Sequence, residues 1–150
     1  MDESPPQQDA FLNLIRAHEL LLGEVNRFLK THDLTIQQYN VIRILYVRAG
    51  EDGLPCLNIA ERLLNRVPDI TRLLDRMEKR GLVSRARSAR DRRVVLTRLT
   101  DKGHKLATLH DDLTAFHIKQ FAHMDLEDVQ ALDALLVKVL NRPTDSEQTP

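Results

Sequence analysis

At Gly81 the apolar rhythm of this chain changes from three- and four-residue spacing to alternation. One element cannot carry both periods. Upstream, Ile70, Leu73, Leu74 and Met77 share one face of a helix that opens with Pro68 at its first position and runs to Arg80. Downstream, Leu82 to Arg87 and Arg93 to Leu99 are rich in β-branched residues and flank the loop Ser88 to Arg92, which reads as a hairpin. Before Pro68, a short helix from Leu57 turns Ile59, Ala60 and Leu63 inward and breaks through Leu64, Asn65 and Arg66, with Asn65 suited to a left-handed turn. Ala60 is small enough for close helix packing. Two short helices, a tight turn and then a hairpin spell a winged helix-turn-helix. The competing structural reading is a plain helical hairpin followed by a solvated ribbon.

What the outer faces carry favours nucleic acid. The second short helix presents Pro68, Asp69, Thr71, Arg72, Asp75 and Arg76, with Lys79 beyond them, and these groups suit base edges and phosphates. The hairpin carries Arg85, Arg87, Arg90, Arg92 and Arg93 against Asp91 alone, five arginines in nine residues. A β-ribbon with an arginine tip has the size and charge to enter a minor groove. The net charge of zero hides this segregation. From Arg62 to Lys102 there are 13 Lys/Arg against 5 Asp/Glu, an excess of eight positive charges that the rest of the chain cancels. A basic patch on an acidic body suits a polyanionic partner, because each phosphate contact releases condensed counterions.

The remaining segments are amphipathic helices. Phe11, Leu14, Ile15, His18, Leu21, Leu22, Val25, Phe28 and Leu29 lie on one face of a long first helix. The next starts at Thr35, where Thr35 and Gln38 fit a capping box and Leu34 and Tyr39 a hydrophobic staple, and it stops near Gly50. Glu51 to Gly53 then reads as a turn and Leu54-Pro55-Cys56 as a short extended lead-in. Near Thr100 a helix begins that places Leu106, Leu109, Leu113, Phe116 and Phe121 on one stripe. A last helix follows N-cap Asp125, with apolar positions Val129, Leu132, Leu136 and Val139, and ends at Arg142-Pro143. The fold class is thus mainly α with a small β-hairpin wing. Its parts are an unstructured 1–9, helices over 10–34 and 101–142, the winged helix-turn-helix over 35–100 and a flexible tail over 143–150. The terminal helices exceed what a winged helix needs, so they either complete a monomeric core or pair between subunits.

The run Ile70-Thr71-Arg72-Leu73-Leu74-Asp75-Arg76-Met77-Glu78-Lys79-Arg80-Gly81-Leu82-Val83, with Asp91-Arg92-Arg93 and Leu99-Thr100-Asp101-Lys102-Gly103, resembles the multiple antibiotic resistance regulator (MarR) family over nearly the whole chain. That resemblance implies a homodimer whose terminal helices are the dimerisation helices. It also implies recognition helices in the major groove, wings in the flanking minor grooves and a pseudo-palindromic operator bound as a repressor. It assigns Arg93 to the minor groove and Asp91 to holding its guanidinium. A small aromatic or phenolic effector, seated between the dimerisation helices and the DNA-binding lobe, is a further implication. Two positions depart from the commoner pattern: Val67 where a capping serine is frequent, and the acidic Asp69 at the start of the recognition helix.

Other chemistry finds few residues. Cys56, the single cysteine, cannot form an intramolecular disulfide, and its place before a helix offers either a redox sensor or a plain buried thiol. The reactive cysteine of peroxide-sensing relatives lies in the first helix, where this chain has none. His104, His110, His117 and His123 include no i, i+4 pair, and no cysteine or Glu neighbour completes a metal set, so no metal is expected. The absence of a P-loop, nucleophile elbow, zincin signature or dinucleotide fingerprint argues against an enzyme and against a cofactor. No run approaches the length of a membrane span, and nothing marks the N-terminus for secretion, so the expected location is the cytoplasm. Besides the DNA-binding regulator, two readings stand: a redox-responsive regulator acting through Cys56, and a winged-helix protein-interaction module that does not touch DNA.

Overall fold

The computed structural model describes residues 5–50, 52–63 and 68–142. They form α1 (Pro6–Lys30), α2 (Ile36–Arg48), β1 (Leu54–Pro55), α3 (Cys56–Ala60), α4 (Ile70–Lys79), β2 (Val83–Arg87), β3 (Val95–Leu99), α5 (Asp101–Ala107), α6 (Leu109–Gln120) and α7 (Leu126–Leu140). Two compact units divide the chain, Met1–Leu113 and Thr114–Pro150.

In the first unit, α1 begins earlier than the sequence reading allowed. The segment 1–9 was expected to be unstructured, yet Pro6 to Asp9 are helical. Proline's fixed φ suits the first helical position, and Asp9 in the first turn complements the helix dipole. The start of α2 follows expectation. Gln38 N–H donates to the Thr35 hydroxyl at 3.3 Å and Thr35 N–H to the Gln38 side-chain oxygen at 3.1 Å. Leu34 and Tyr39, at the staple positions, are both buried. Val41, Ile42, Ile44 and Leu45 are buried too, which makes α2 the central helix of this unit.

The sheet has three strands, in the order β1-β3-β2, all antiparallel, where the sequence announced only a hairpin. Leu54 pairs with Thr97, and Gly53 at φ +84° lets the chain pass there: a Cβ on it would come to 2.7 Å from the Thr97 carbonyl oxygen. Cys56, assigned above to an extended lead-in, is instead the first residue of α3. The hairpin strands are shorter than expected. Val83 pairs with Leu99 and Arg87 with Val95, so the connecting loop runs from 88 to 94 and Arg93 sits in it rather than in a strand. Helix α4 also starts later than expected: its N-cap is Asp69, so Pro68 lies before the helix instead of opening it. Leu64, Asn65, Arg66 and Val67, read as the break and cap, fall outside the described residues.

Ile59, Leu74, Met77 and Leu82 are fully buried with Ile42 and Leu29 and form the core under α4 and the sheet. At Gly103 the backbones of α5 and the turn after α4 meet closely, since a Cβ there would overlap the carbonyl oxygen of Leu82. The helix expected from Thr100 through Phe121 is interrupted at Thr108, whose hydroxyl donates to the Lys105 carbonyl at 2.7 Å. A threonine bonding back to the preceding turn offers the backbone an alternative to the helical ladder. The apolar stripe survives the break, with Leu109 and Leu113 buried. The second unit holds the rest of α6 and all of α7, which starts after N-cap Asp125 as expected. Leu126, Leu135, Val139 and Leu140 of α7 are exposed. The expected stop at Pro143 and the tail 143–150 lie outside the described residues.

Candidate nucleic-acid interface

Helix α4 presents two different faces. Leu73, Leu74 and Met77 are buried, whereas Thr71, Arg72, Arg76 and Lys79 are exposed. Asp69, an acid among exposed basic residues, has a local purpose. One of its oxygens accepts the Arg72 N–H at 3.0 Å and caps the helix, and the other lies 3.1 Å from Arg72 Nε. The carboxylate satisfies an orphan helical donor. It also orients a guanidinium whose side chain is 81% exposed. Arg72 is thereby aimed, while Pro68 stands exposed ahead of the cap.

Asp75 and Arg85, both read from the sequence as facing DNA, are instead joined to each other. Arg85 donates from Nε to Glu78 Oε2 at 3.0 Å, from a terminal nitrogen to the same oxygen at 2.7 Å, and from its backbone to Glu78 Oε1 at 3.0 Å. It also pairs with Asp75. Its side chain is only 23% exposed. The Glu78 hydrogen bond holds the Arg85 guanidinium above its ordinary pKa, against the opposing pull of burial. Arg85 therefore clamps β2 onto α4, and Glu78, which sequence reasoning passed over, is its main anchor. Val83 and Arg85 share one face of β2, so alternation alone marks Arg85 as inward-pointing.

Beyond the clamp the wing is built to expose charge. The Ser88 N–H donates to the Val94 carbonyl at 2.8 Å and closes the loop, the Ser88 hydroxyl accepts the Arg90 N–H at 3.2 Å, and Arg87 reaches the Arg92 carbonyl at 2.9 Å. At the tip, Arg93 donates from Nε and a terminal nitrogen to the two Asp91 oxygens, each at 3.1 Å, and its own N–H donates to Asp91 at 3.0 Å. This fork lowers the Asp91 pKa, chiefly through the Arg93 side chain. The Arg93 side chain stays 90% exposed. Arg90 and Arg92 are exposed on the same loop.

A second brace, between residues far apart in the chain, holds the far end of α4. Arg80 donates to the Gln38 side-chain oxygen at 3.0 Å and, at 2.6 Å each, to the Asp33 carbonyl and carboxylate. Asp33 takes a left-handed φ of +55° in the turn between α1 and α2. On the other side, the Thr100 hydroxyl donates to the Gly81 carbonyl at 2.6 Å and accepts the Gly103 N–H at 3.1 Å, and Lys102 reaches the Arg80 carbonyl at 3.1 Å. The Leu-Thr-Asp-Lys-Gly run thus staples α5 to the turn after α4.

The other candidates stay apart from this surface. Cys56 is a free, half-buried thiol at the start of the five-residue α3. The Tyr39 hydroxyl and His110 Nδ1 lie 3.4 Å apart, and burial pushes the Tyr39 pKa up. Among the described residues no group of three His, Cys, Asp or Glu is placed to hold a metal ion, and no helix is long and apolar enough to cross a membrane.

Comparison with known proteins fits this geometry. The MarR family model matches residues 34–95. A transcriptional regulator of Neisseria gonorrhoeae, FarR, is 35% identical over 96 residues, which are 63% of this chain and 63% of that protein. The match therefore spans under two thirds of that relative. A MarR transcription factor from Planctomyces limnophilus is 36% identical, with a TM-score of 0.67 over 91% of this chain and 98% of that one. MepR of S. aureus, in complex with DNA, is 26% identical with a TM-score of 0.74 over 87% of this chain and 95% of that one.

Proposed function

This chain belongs to the MarR family of transcriptional regulators, and on that premise we propose that it binds double-stranded operator DNA sequence-specifically and acts by occupancy rather than by catalysis. One observation carries the reading: an arginine 90% exposed at a hairpin tip is held in a fixed direction by a two-pronged carboxylate. An arginine meant only for solubility needs no such support, whereas one that enters a narrow groove gains from being oriented beforehand. Arg72, aimed by Asp69, supplies the second oriented cation, and Thr71 and Arg76 flank it on α4. In this reading α4 lies in the major groove and the loop 88–94 reaches the adjacent minor groove. MepR, similar to this chain, was crystallised on DNA.

The proposed active form is a homodimer. Phe11, Ile15 and Leu20 of α1 and Leu126, Leu135 and Leu140 of α7 are exposed apolar residues. Burying such residues between subunits is worth about 25 cal/mol per Å². Two recognition helices about one helical turn of DNA apart, roughly 34 Å, require a pseudo-palindromic site. Repression then follows from occlusion of the site by the bound dimer. The test is to sequence the genomic fragments retained by the purified protein and to measure its mass by light scattering. Enrichment of one inverted-repeat sequence by a dimer is expected. Retention of fragments without any shared sequence, or full-affinity binding of one unrepeated half-site by a monomer, overturns the proposal. A protein-interaction module would retain no DNA at all.

A further inference from the structure

Three cations stand exposed on α4: Arg72 in its first turn, Arg76 one turn further on and Lys79 at its end. Among the described residues Arg72 alone of the three is held by a carboxylate. Asp69 Oδ2 lies 3.1 Å from Arg72 Nε, and Asp69 Oδ1 accepts the Arg72 N–H at 3.0 Å. One carboxylate thus serves as helix cap and as side-chain grip. It cannot turn away from the guanidinium without giving up the cap. Arg76 has no such support, because the acids nearest to it on α4, Asp75 and Glu78, are taken by Arg85.

The grip leaves a defined set of donors. A guanidinium is a planar group with five N–H bonds, and with Nε turned to Asp69 the two terminal nitrogens remain. Their paired N–H bonds form the edge opposite the side-chain stem, a fork of donors without an acceptor. In the major groove, guanine offers two adjacent acceptors, O6 and N7. Adenine sets an amino donor beside N7, cytosine offers a donor, and thymine one acceptor beside a methyl group. A fixed fork of donors therefore matches guanine and is repelled or half-satisfied by the others. The place on the helix agrees, since the N-terminal residues of a recognition helix are those that meet base edges, and Arg72 lies in the first turn of α4.

A phosphate makes a weaker demand. It accepts from many directions and rewards charge without orientation, which suits the unbraced Arg76 and Lys79. The acid itself also needs a reason. A carboxylate facing a polyanion is repelled, and serine or asparagine would cap α4 as well without that charge. Its hold on Arg72 Nε is what a neutral cap does not supply.

We propose that Asp69 and Arg72 form one reading unit that selects guanine at one position of each operator half-site. Arg72 donates to O6 and N7, and Asp69 is the positioning residue that keeps the fork on that base without touching DNA. This names the base read by α4 and rests on the operator-binding reading above. Fixing the fork beforehand sharpens the choice, because a free arginine meeting the wrong base swings to a neighbouring phosphate and recovers part of the loss.

Selection from random double-stranded oligonucleotides by the purified full chain gives the preferred sequence. Competition titrations at one salt concentration then test each guanine in it against adenine and against 7-deazaguanine, which pairs normally but lacks the N7 acceptor. One guanine per half-site is expected at which either replacement weakens binding about tenfold or more. In Arg72→Gln that penalty should vanish at this guanine and persist at every other. Asp69→Asn keeps a good cap and should melt within about 2 °C of the native protein. It should bind random DNA more tightly, since a negative charge is gone, yet prefer guanine to adenine at that position by a factor of only about three or less. Asp69→Ser should behave alike.

An Asp69 that merely caps the helix would leave the guanine preference at full strength in both variants, and one that merely stabilises the fold would lower affinity for all sequences by one factor. Either result overturns the proposal. So does a preferred sequence without guanine, or a 7-deazaguanine penalty that Arg72→Gln leaves unchanged at every guanine, which places Arg72 on a phosphate. Selection that enriches no sequence at all removes the operator-binding reading together with this one.

Discussion

Glu78→Gln separates a wing clamp from a direct DNA contact by the sign of its effect. The substitution removes one negative charge from the basic face, so simple electrostatics makes DNA binding tighter, because a repulsion with phosphate disappears. The geometry predicts the opposite. Arg85 is three-quarters covered, and its partners Glu78 and Asp75 are 38% and 44% exposed. Hydrogen bonds to charged groups contribute about 1.5–3 kcal/mol when shielded. With both carboxylates more than a third exposed, solvent screening reduces the whole clamp to about 1–2 kcal/mol. For a chain of this length that lowers the melting temperature by roughly 2–8 °C in Arg85→Ala and by somewhat less in Glu78→Gln. Both variants should also bind operator several-fold more weakly, since the wing is no longer fixed to α4, and their double mutant should lose less than the sum. Thermal melts followed by circular dichroism and operator titrations on the four proteins provide the measurements. Tighter operator binding by Glu78→Gln with an unchanged melt would refute the clamp, and so would Arg85→Ala losing affinity without losing stability.

The remaining predictions concern the cap, the staple and the two oriented arginines. Thr35→Ala, which removes one half of the capping box, should cost about 1 kcal/mol in urea unfolding. Gly103→Ala pushes a methyl into the Leu82 carbonyl and should lower the urea midpoint by the equivalent of about 3 kcal/mol, even though the residue is helical and alanine favours helices. Arg72→Ala should weaken the cognate operator by about 1–3 kcal/mol and random DNA much less, a difference that competition titrations resolve. Arg93→Ala should weaken A·T-flanked operators more than G·C-flanked ones and reduce the salt slope by about one counterion per wing, with Asp91→Ala reproducing part of the loss.

Local signals carried most of the fold. The capping box at Thr35 and Gln38 and the stop at Gly81 each involve residues within about a turn of one another, so spacing suffices to find them, whereas the Asp91–Arg93 fork was expected from the family resemblance. Pairings with distant partners left no such mark. The strand β1 is two residues long and exists because β3 offers it an edge. Arg80 and Asp33 are 47 positions apart, and no periodicity relates them. Asp69 shows another kind of gap: an acid at a helix start is legible both as a cap and as a groove contact, and the position of the first helical residue, Ile70, establishes the cap.

Arg85 shows where pattern reasoning could have gone further. A run of arginines on a hairpin invites one assignment for all of them, yet their places in the ribbon divide them. Alternation puts Arg85 and Arg87 on the face of buried Val83, and of the two Arg85 is covered while Arg87, in the last strand pair, is exposed; Arg90, Arg92 and Arg93 lie beyond that pair, where no face is inward. An inward arginine requires a buried partner, since an uncompensated cation at a half-covered site is costly. The acids available to it at that level are those on the adjacent turns of α4, Asp75 and Glu78, and these are the partners observed. The arginines therefore perform two physical tasks. One fixes the wing to the helix, and the others lie exposed beyond that fixed point. A wing fixed to α4 suits the proposed contact with two grooves at once. Without the clamp, every wing contact would incur the entropy of ordering the hairpin at the moment of binding.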